Sequence, residues 1–180
     1  MEGLNIITPV KDSIELTLET VKAILASEIK VPYTYTVYND FSTPENTAIL
    51  DKASKELGFR LVNLSDITDH PSPNYLLVLQ MTQKESVGKN WGLAIVESDV
   101  IVKKDTLQNL YNGAMAKEKC AIAASVTVDE NGAINYPYLP AKGKENMEVK
   151  YEKHCSFCCS LLTPDFLKAF DFCELDSSKN

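Results

Sequence analysis

The sequence predicts an α/β domain: a mostly parallel sheet with helices on both faces. Three observations carry this. Short apolar segments alternate with amphipathic ones along most of the chain. The short segments are near-continuous runs of apolar and β-branched residues, as in strands buried on two faces. The segments between them repeat apolar residues at helical spacing.

The elements follow in order. "LNIITPV" (Leu4 to Val10) reads as a short buried strand, and "DSIELTLETVKAILASE" follows with Ile14, Leu18, Val21 and Leu25 on one helical face. Asp12 or Ser13 is its candidate cap. "YTYTVYND" (Tyr33 to Asp40) is a second strand, rich in aromatic and β-branched residues. In "STPENTAILDKASKELG", Thr43 is an N-cap, Pro44 sits at the first helical position and Gly58 marks the stop. "FRLVNL" (Phe59 to Leu64) is the third strand and "SDITDHPSP" a loop. "NYLLVLQMTQKES" (Asn74 to Ser86) is a helix, "WGLAIVES" the fourth strand and "DTLQNLYNGAMAKEK" (Asp105 to Lys119) an amphipathic helix. "CAIAASVTV" (Cys120 to Val128) is the fifth strand. The rhythm then changes. Asn131-Gly132 is a hairpin-type turn, "KGKENMEVKYEK" a polar loop, "HCSFCCSLL" (His154 to Leu162) a strand, and "TPDFLKAF" a helix capped by Thr163. No internal repeat occurs.

The bulk numbers narrow the function. One domain's worth of chain, 180 residues with 44% hydrophobic, buries a real core. The net charge of -7 and the lack of a long basic stretch exclude a general nucleic-acid surface. Five cysteines, an odd number, and no signal peptide point to a reduced, cytoplasmic setting. No apolar run approaches the roughly 20 residues that cross a bilayer.

In open α/β sheets, ligands bind at the carboxyl ends of the strands. That rule selects Thr8-Pro9-Val10, Asn39-Asp40 and Glu97-Ser98-Asp99, three polar or acidic clusters on one edge. No phosphate-binding glycine loop is present, neither G-x-G-x-x-G nor G-x-x-x-x-G-K-[ST], which disfavours common nicotinamide dehydrogenases and P-loop NTPases. An acidic chain without such a loop binds a phosphorylated ligand most simply through a divalent metal. Side chains two apart on extended backbone share a face, so Glu97 and Asp99 are candidates to hold Mg²⁺ or Mn²⁺ together with phosphate oxygens. The same acidic-x-acidic spacing recurs in Glu174-Leu175-Asp176 with no such context. It is the apolar strand in front, and the convergence of three strand ends, that single out Glu97 and Asp99.

"IITPVKDSIELTLETVKAIL", "YTVYNDFSTPENTAIL" and "LAIVESDVIVKKDTLQNL" together resemble family 2 glycosyltransferases, which have the GT-A fold. The ordered pieces are a first strand with a Pro and a helix a few residues on, a second strand ending in a D-D-x-S-like segment, and a fourth ending in a D-x-D-like triplet. The resemblance covers residues 4 to 128 and, more weakly, 154 to 172. It implies transfer of a sugar from a nucleotide-diphosphate donor to an acceptor hydroxyl, metal-dependent and with inversion. By position it places Thr8, Pro9 and Val10 along the nucleotide pocket and Asn39 and Asp40 at the base or ribose. Asn74 becomes the counterpart of the family's N-x-G asparagine. Glu97 falls near the ribose and diphosphate, and Asp99 becomes the main metal ligand. It makes residues 1–128 the nucleotide-sugar-binding half and 129–180 the start of an acceptor-binding half, incomplete, within one domain. The acceptor is a carbohydrate or a lipid-linked sugar, the latter reached at the inner face of the membrane.

This sequence departs from the pattern. Asn39 replaces the first Asp of the pair, Phe41 replaces a Gly, and Glu97 replaces the first Asp of D-x-D. No catalytic base is identified: Asp171, Glu174 and Asp176 are poor matches, and the chain ends where the family's E-D-like motif is due. Two rival functions remain. A sugar-phosphate nucleotidyltransferase wants a glycine-rich basic loop that "TPVKDS" lacks; a non-catalytic module would hold a nucleotide sugar or a protein partner.

Other residues carry weaker signals. His154, Cys155, Cys158 and Cys159 invite zinc, but structural zinc favours two separated ligand pairs and only one is present. A catalytic pair of His154 and Cys155 is disfavoured, because adjacent strand residues face opposite ways. His70 reads as surface, Trp91 as packing, and Lys103 and Lys104 as a solvated approach to a helix. Tyr136, Pro137 and Tyr138 fall in the region that borders the acceptor in the resembled family.

Overall fold

A computed structural model describes residues 1–136, 138–144, 147, 149 and 155–175. Five α-helices and six strands form among them in the order β1 (Leu4–Val10), α1 (Ile14–Leu25), β2 (Tyr33–Asn39), α2 (Pro44–Leu57), β3 (Arg60–Asn63), α3 (Tyr75–Lys89), β4 (Gly92–Val96), α4 (Thr106–Ala116), β5 (Ile122–Ala124), β6 (Cys159–Leu162) and α5 (Pro164–Ala169). The sheet order is β3-β2-β1-β4-β6-β5. The pairings β1–β2, β1–β4 and β2–β3 are parallel, whereas β6 runs antiparallel between β4 and β5.

Each face of the sheet is covered, as the alternating pattern requires. Leu4, Ile6, Val37, Ala94, Val96 and Leu161 pack beneath Val21 and Ile24 of α1, Leu50 of α2, and Leu107 and Leu110 of α4. Ile7, Tyr38, Leu93, Ile95 and Leu162 pack beneath Val78 and Leu79 of α3 and Leu167 of α5.

Local chemistry sets most boundaries. Thr43 accepts a hydrogen bond from the Asn46 N–H, Pro44 opens α2, and Gly58 closes it at φ 81°. Thr163 caps α5 in the same way through the Phe166 N–H.

Five expectations need correction. Neither Asp12 nor Ser13 caps α1: Asp12 turns at φ 61° and its carboxylate accepts from Thr43 N and Asn46 Nδ2 at the start of α2, while Ser13 gives α1 only its carbonyl. Helix α3 runs three residues past Ser86 and stops at Asn90 in the left-handed region, because Gly88 is tolerated inside it. Helix α4 ends at Ala116, not Lys119, since Lys117 is extended. The fifth strand is short: beyond Ser125, Val128 bridges Ile134 in a hairpin around Asn131-Gly132, so its apolar residues leave the sheet. The sixth begins at Cys159, because Cys158 donates its N–H to Ser156 Oγ in a turn. His154 lies outside the described residues.

The amino end of the sheet is tightly closed. A Cβ on Gly3 would lie 2.5 Å from the Pro32 carbonyl oxygen and 2.7 Å from the Trp91 ring. Trp91 thus packs at the edge opposite the strands' carboxyl ends. Gly3→Ala is expected to lower stability by about 1–3 kcal/mol through this clash, read as a fall in the urea midpoint at unchanged slope.

Candidate functional site

The strands' carboxyl ends bring the selected residues to one rim. Val10 pairs with Asn39, and the Asp40 N–H donates to the Val10 carbonyl at 2.8 Å. Ile7 pairs with Ile95, so Glu97 emerges level with the end of β1. On the other side of β4, the Glu97 N–H donates to the Cys158 carbonyl at 2.9 Å. Strand side chains alternate, and Ile7, Tyr38 and Ile95 all pack under α3. Pro9, Asp40 and Glu97, each two residues on, follow that face.

The first segment contributes less side-chain surface than its position suggests. Thr8 is fully buried on the opposite face with its hydroxyl 3.1 Å from the Tyr35 hydroxyl, and Val10 is buried in the same layer. Of the three, only Pro9 is partly exposed; Thr8 and Val10 can meet a ligand only through their backbone. Burial pushes the Tyr35 phenol far up, so this pair stays neutral.

Asn39 and Asp40 knit the rim together. Asn39 Nδ2 donates to Thr47 Oγ1 at 3.0 Å and Asn63 Oδ1 at 2.9 Å, and Asn39 Oδ1 accepts from the Ser42 N–H. A carboxylate there has no hydrogen to give Thr47 or Asn63, which is the physical reason for an amide at this position. Asp40 accepts from Ser72 Oγ at 2.7 Å and from both the backbone N–H and Nδ2 of Asn74 at 2.8 Å. Asn74 Nδ2 also donates to the His70 carbonyl. The carboxylate thereby latches the end of β2 to the amino end of α3, where a negative charge complements the helix dipole. His70 itself is exposed.

Glu97 and Asp99 are not related as strand neighbours. The strand ends at Val96, and the Val100 N–H donates to the Glu97 carbonyl at 3.1 Å, so Ser98 and Asp99 are the middle of a turn. The Thr20 hydroxyl pins it by donating to the Ser98 carbonyl. Alternation along extended backbone therefore does not relate the two carboxylates; they flank a turn. Burial pushes the Cys158 thiol up, and the carboxylates of Glu97 and Asp99 act in the same direction.

The chemistry of this rim is anionic. None of the four ion pairs among the described residues includes Asp40, Glu97 or Asp99. Among the described residues no three His, Cys, Asp or Glu side chains are grouped to hold a metal ion alone. The carboxylate oxygens of Glu97 and Asp99 suit a hard cation that completes its shell with ligand oxygens and water. The three cysteines do not form one thiol cluster: Cys159 packs in the α1 layer, Cys155 is exposed, and the Cys158 thiol lies 2.8 Å from Ser156 Oγ. Two hollows elsewhere, about 430 Å³ beside Ser13, Leu16 and Ile49 and about 220 Å³ beside Met1, Cys120 and Asp165, involve none of the rim carboxylates.

Sequence reasoning passed over Tyr75, and weighed Cys158 only as a zinc ligand. The Tyr75 phenol, at the start of α3, is pushed up first by burial and then by the charges of Glu97 and Cys158. Its adjacency to Asn74 was the available signal. Tyr138 donates to the Ser156 carbonyl, and burial pushes its pKa up to about 12. Tyr136 is exposed and Pro137 lies outside the described residues. Lys103 and Lys104 are exposed, Asp171 accepts from the Cys173 N–H at the end of the described chain, and Asp176 lies outside it.

No family model matches the chain, and no curated protein matches it in sequence. Solved structures do match. Glucosyl-3-phosphoglycerate synthase from Mycobacterium tuberculosis, in complex with UDP, aligns at a TM-score of 0.58 with 13% identity, covering 91% of this chain and 57% of that one. The same enzyme with Mn²⁺, UDP and glucosyl-3-phosphoglycerate aligns at 0.51 with 13% identity, over 67% and 42%. TarS 1–349 from S. aureus aligns at 0.48 with 18% identity, over 63% and 33%, too distant to bear on the site. This chain spans between a third and just over half of these structures. The first two similarities show the GT-A fold that the sequence predicts. No helix among the described residues is long and apolar enough to cross a membrane.

Proposed function

Proceeding from the GT-A fold, we propose that the rim formed by Pro9, Asp40, Glu97 and Asp99 binds a nucleotide-diphosphate sugar. The domain belongs to a metal-dependent, inverting glycosyltransferase of the family 2 kind. The observation that carries this is that Asp40 and Glu97 emerge side by side with the end of β1 at the strands' carboxyl ends, with Asp99 exposed in the turn that follows Glu97. A diphosphate cannot approach two carboxylates unaided. Asp99 and Glu97 would hold a divalent ion, which would supply the charge that offsets this repulsion and stabilises a diphosphate leaving group. Mg²⁺ and Mn²⁺ both fit oxygen donors of this type. The two synthase complexes support the reading, since that enzyme was solved with UDP and with UDP and Mn²⁺.

In this reading Asp99 would be the principal metal ligand and Glu97 would lie near the ribose and diphosphate. The Asn39–Asp40–Asn74 latch shapes the floor under the base, with Thr8 and Val10 lending backbone only. Residues 1–128 form the donor half, and residues from 129 begin the acceptor half, which takes a carbohydrate or lipid-linked hydroxyl.

A second reading, a module that binds the donor without transferring sugar, draws on one observation. Asp40 is committed to three hydrogen bonds and, with Glu97 and Asp99 assigned to the cation, no rim carboxylate is left to take a proton from an acceptor. Release of free nucleoside diphosphate on adding acceptor separates the two.

The test is a thermal-shift series with UDP, GDP and dTDP, each with and without Mn²⁺. One diphosphate is expected to stabilise the protein only when the metal is present. At a hundredfold excess over Kd the gain is about 2.7 kcal/mol, or roughly 5–10 °C for a chain of this size. No response to any of the three would sink the reading.

A further inference from the structure

Among the described residues, two buried side-chain polar atoms have no hydrogen-bond partner: the Tyr75 hydroxyl and Ser160 Oγ. Both belong to the α3 side of the sheet. Tyr75 packs in the cluster beneath α3, and Ser160 pairs in register with Ile95 of that same cluster. A buried hydroxyl with no partner lowers stability, so each such group asks for a reason.

For Tyr75 the surroundings supply one. It is the first residue of α3, next to Asn74, whose backbone and side chain are fixed by Asp40. Its ring is held by the apolar cluster and its hydroxyl is buried without a partner. The phenol is thus an unused O–H donor at the point where α3 is latched to the rim by Asp40. We infer that the Tyr75 hydroxyl is a ligand-binding group, donating its hydrogen to a phosphate or ribose oxygen of the bound nucleoside diphosphate. Such an oxygen is the acceptor that a cation held by Glu97 and Asp99 would bring alongside. The inference rests on the donor-site reading above and adds to it a contact that no feature of the sequence selected.

The experiment pairs Tyr75→Phe with Ser160→Ala. Affinity for the nucleoside diphosphate that the wild type binds is measured by calorimetry with Mn²⁺ present, alongside the thermal midpoint without ligand. Tyr75→Phe is expected to keep or raise the midpoint and to weaken binding about tenfold, the loss of one hydrogen bond to an anionic ligand. Ser160→Ala is expected to keep or raise the midpoint and leave affinity unchanged. Repeating the titration with the nucleoside alone assigns the acceptor: a penalty that persists marks a ribose oxygen, and one that vanishes marks a phosphate oxygen. Unchanged diphosphate affinity in Tyr75→Phe overturns the inference while leaving the donor site standing. A lowered midpoint overturns it too, since the hydroxyl would then already have a partner in the free protein. If the wild type binds none of UDP, GDP and dTDP, the donor-site reading fails and this inference fails with it.

Discussion

Asp99→Ala is expected to weaken metal-dependent nucleoside diphosphate binding by more than about a hundredfold while leaving the fold intact. Asp99 is exposed, at the middle of a turn held by the Glu97–Val100 and Thr20–Ser98 hydrogen bonds, none of which uses its side chain. Its removal should therefore cost little stability. Binding is another matter. Residues that merely orient a metal's ligands already cost about 10–100-fold in metal affinity when mutated, and a direct ligand should exceed that. Glu97→Ala should lose less if its carboxylate meets the cation through water, and Glu97→Gln should separate charge from shape. Calorimetric titration of the diphosphate with Mn²⁺, set against circular dichroism melts without it, reads both quantities. Equal affinity in wild type and Asp99→Ala would remove the cation from the proposal.

Asp40→Ala is expected to be the more damaging change to the molecule itself, at about 3 kcal/mol. Three hydrogen bonds to one carboxylate end together, and a bond to a charged group is worth about 1.5–3 kcal/mol. The carboxylate is only half-buried and the three bonds are not additive, which keeps the total near the value for one or two. The midpoint should fall by roughly 10 °C. Asn74→Ala should cost less, and the double variant should lose less than the sum of the singles, by about 1–2 kcal/mol, because each single change already breaks the latch. Additive losses would mean that the two side chains hold separate structures together. Diphosphate binding should weaken in both variants, since the latch positions α3 and with it Tyr75.

Much of this architecture is legible in residues close to one another in the chain. The strand Leu4–Val10 is mostly apolar and β-branched, and α2 carries its own start and stop signals in Thr43, Pro44 and Gly58. Where reading failed, a distant residue had taken over a local role. Asp12 looks like a cap for the helix that follows it, but spends its carboxylate on Thr43 and Asn46, about thirty positions away. The apolar residues after Ala124 look like more of a strand, yet they turn back on Ile134.

The candidate site divides the same way. Sequence alone determined the α/β order, the two covered faces and the set of strand ends from which Asp40, Glu97 and Asp99 emerge, because periodicity and turn chemistry act within a few residues. Only tertiary structure decided that β6 enters between β4 and β5 and sets Cys158 beside Glu97, that Thr8 points away from the rim, that Asp40 is spent on Asn74, and that the Tyr75 hydroxyl is left without a partner. Each of these is fixed by contact between segments far apart in the chain, and no local pattern encodes which distant partner a hydrogen-bonding group will find.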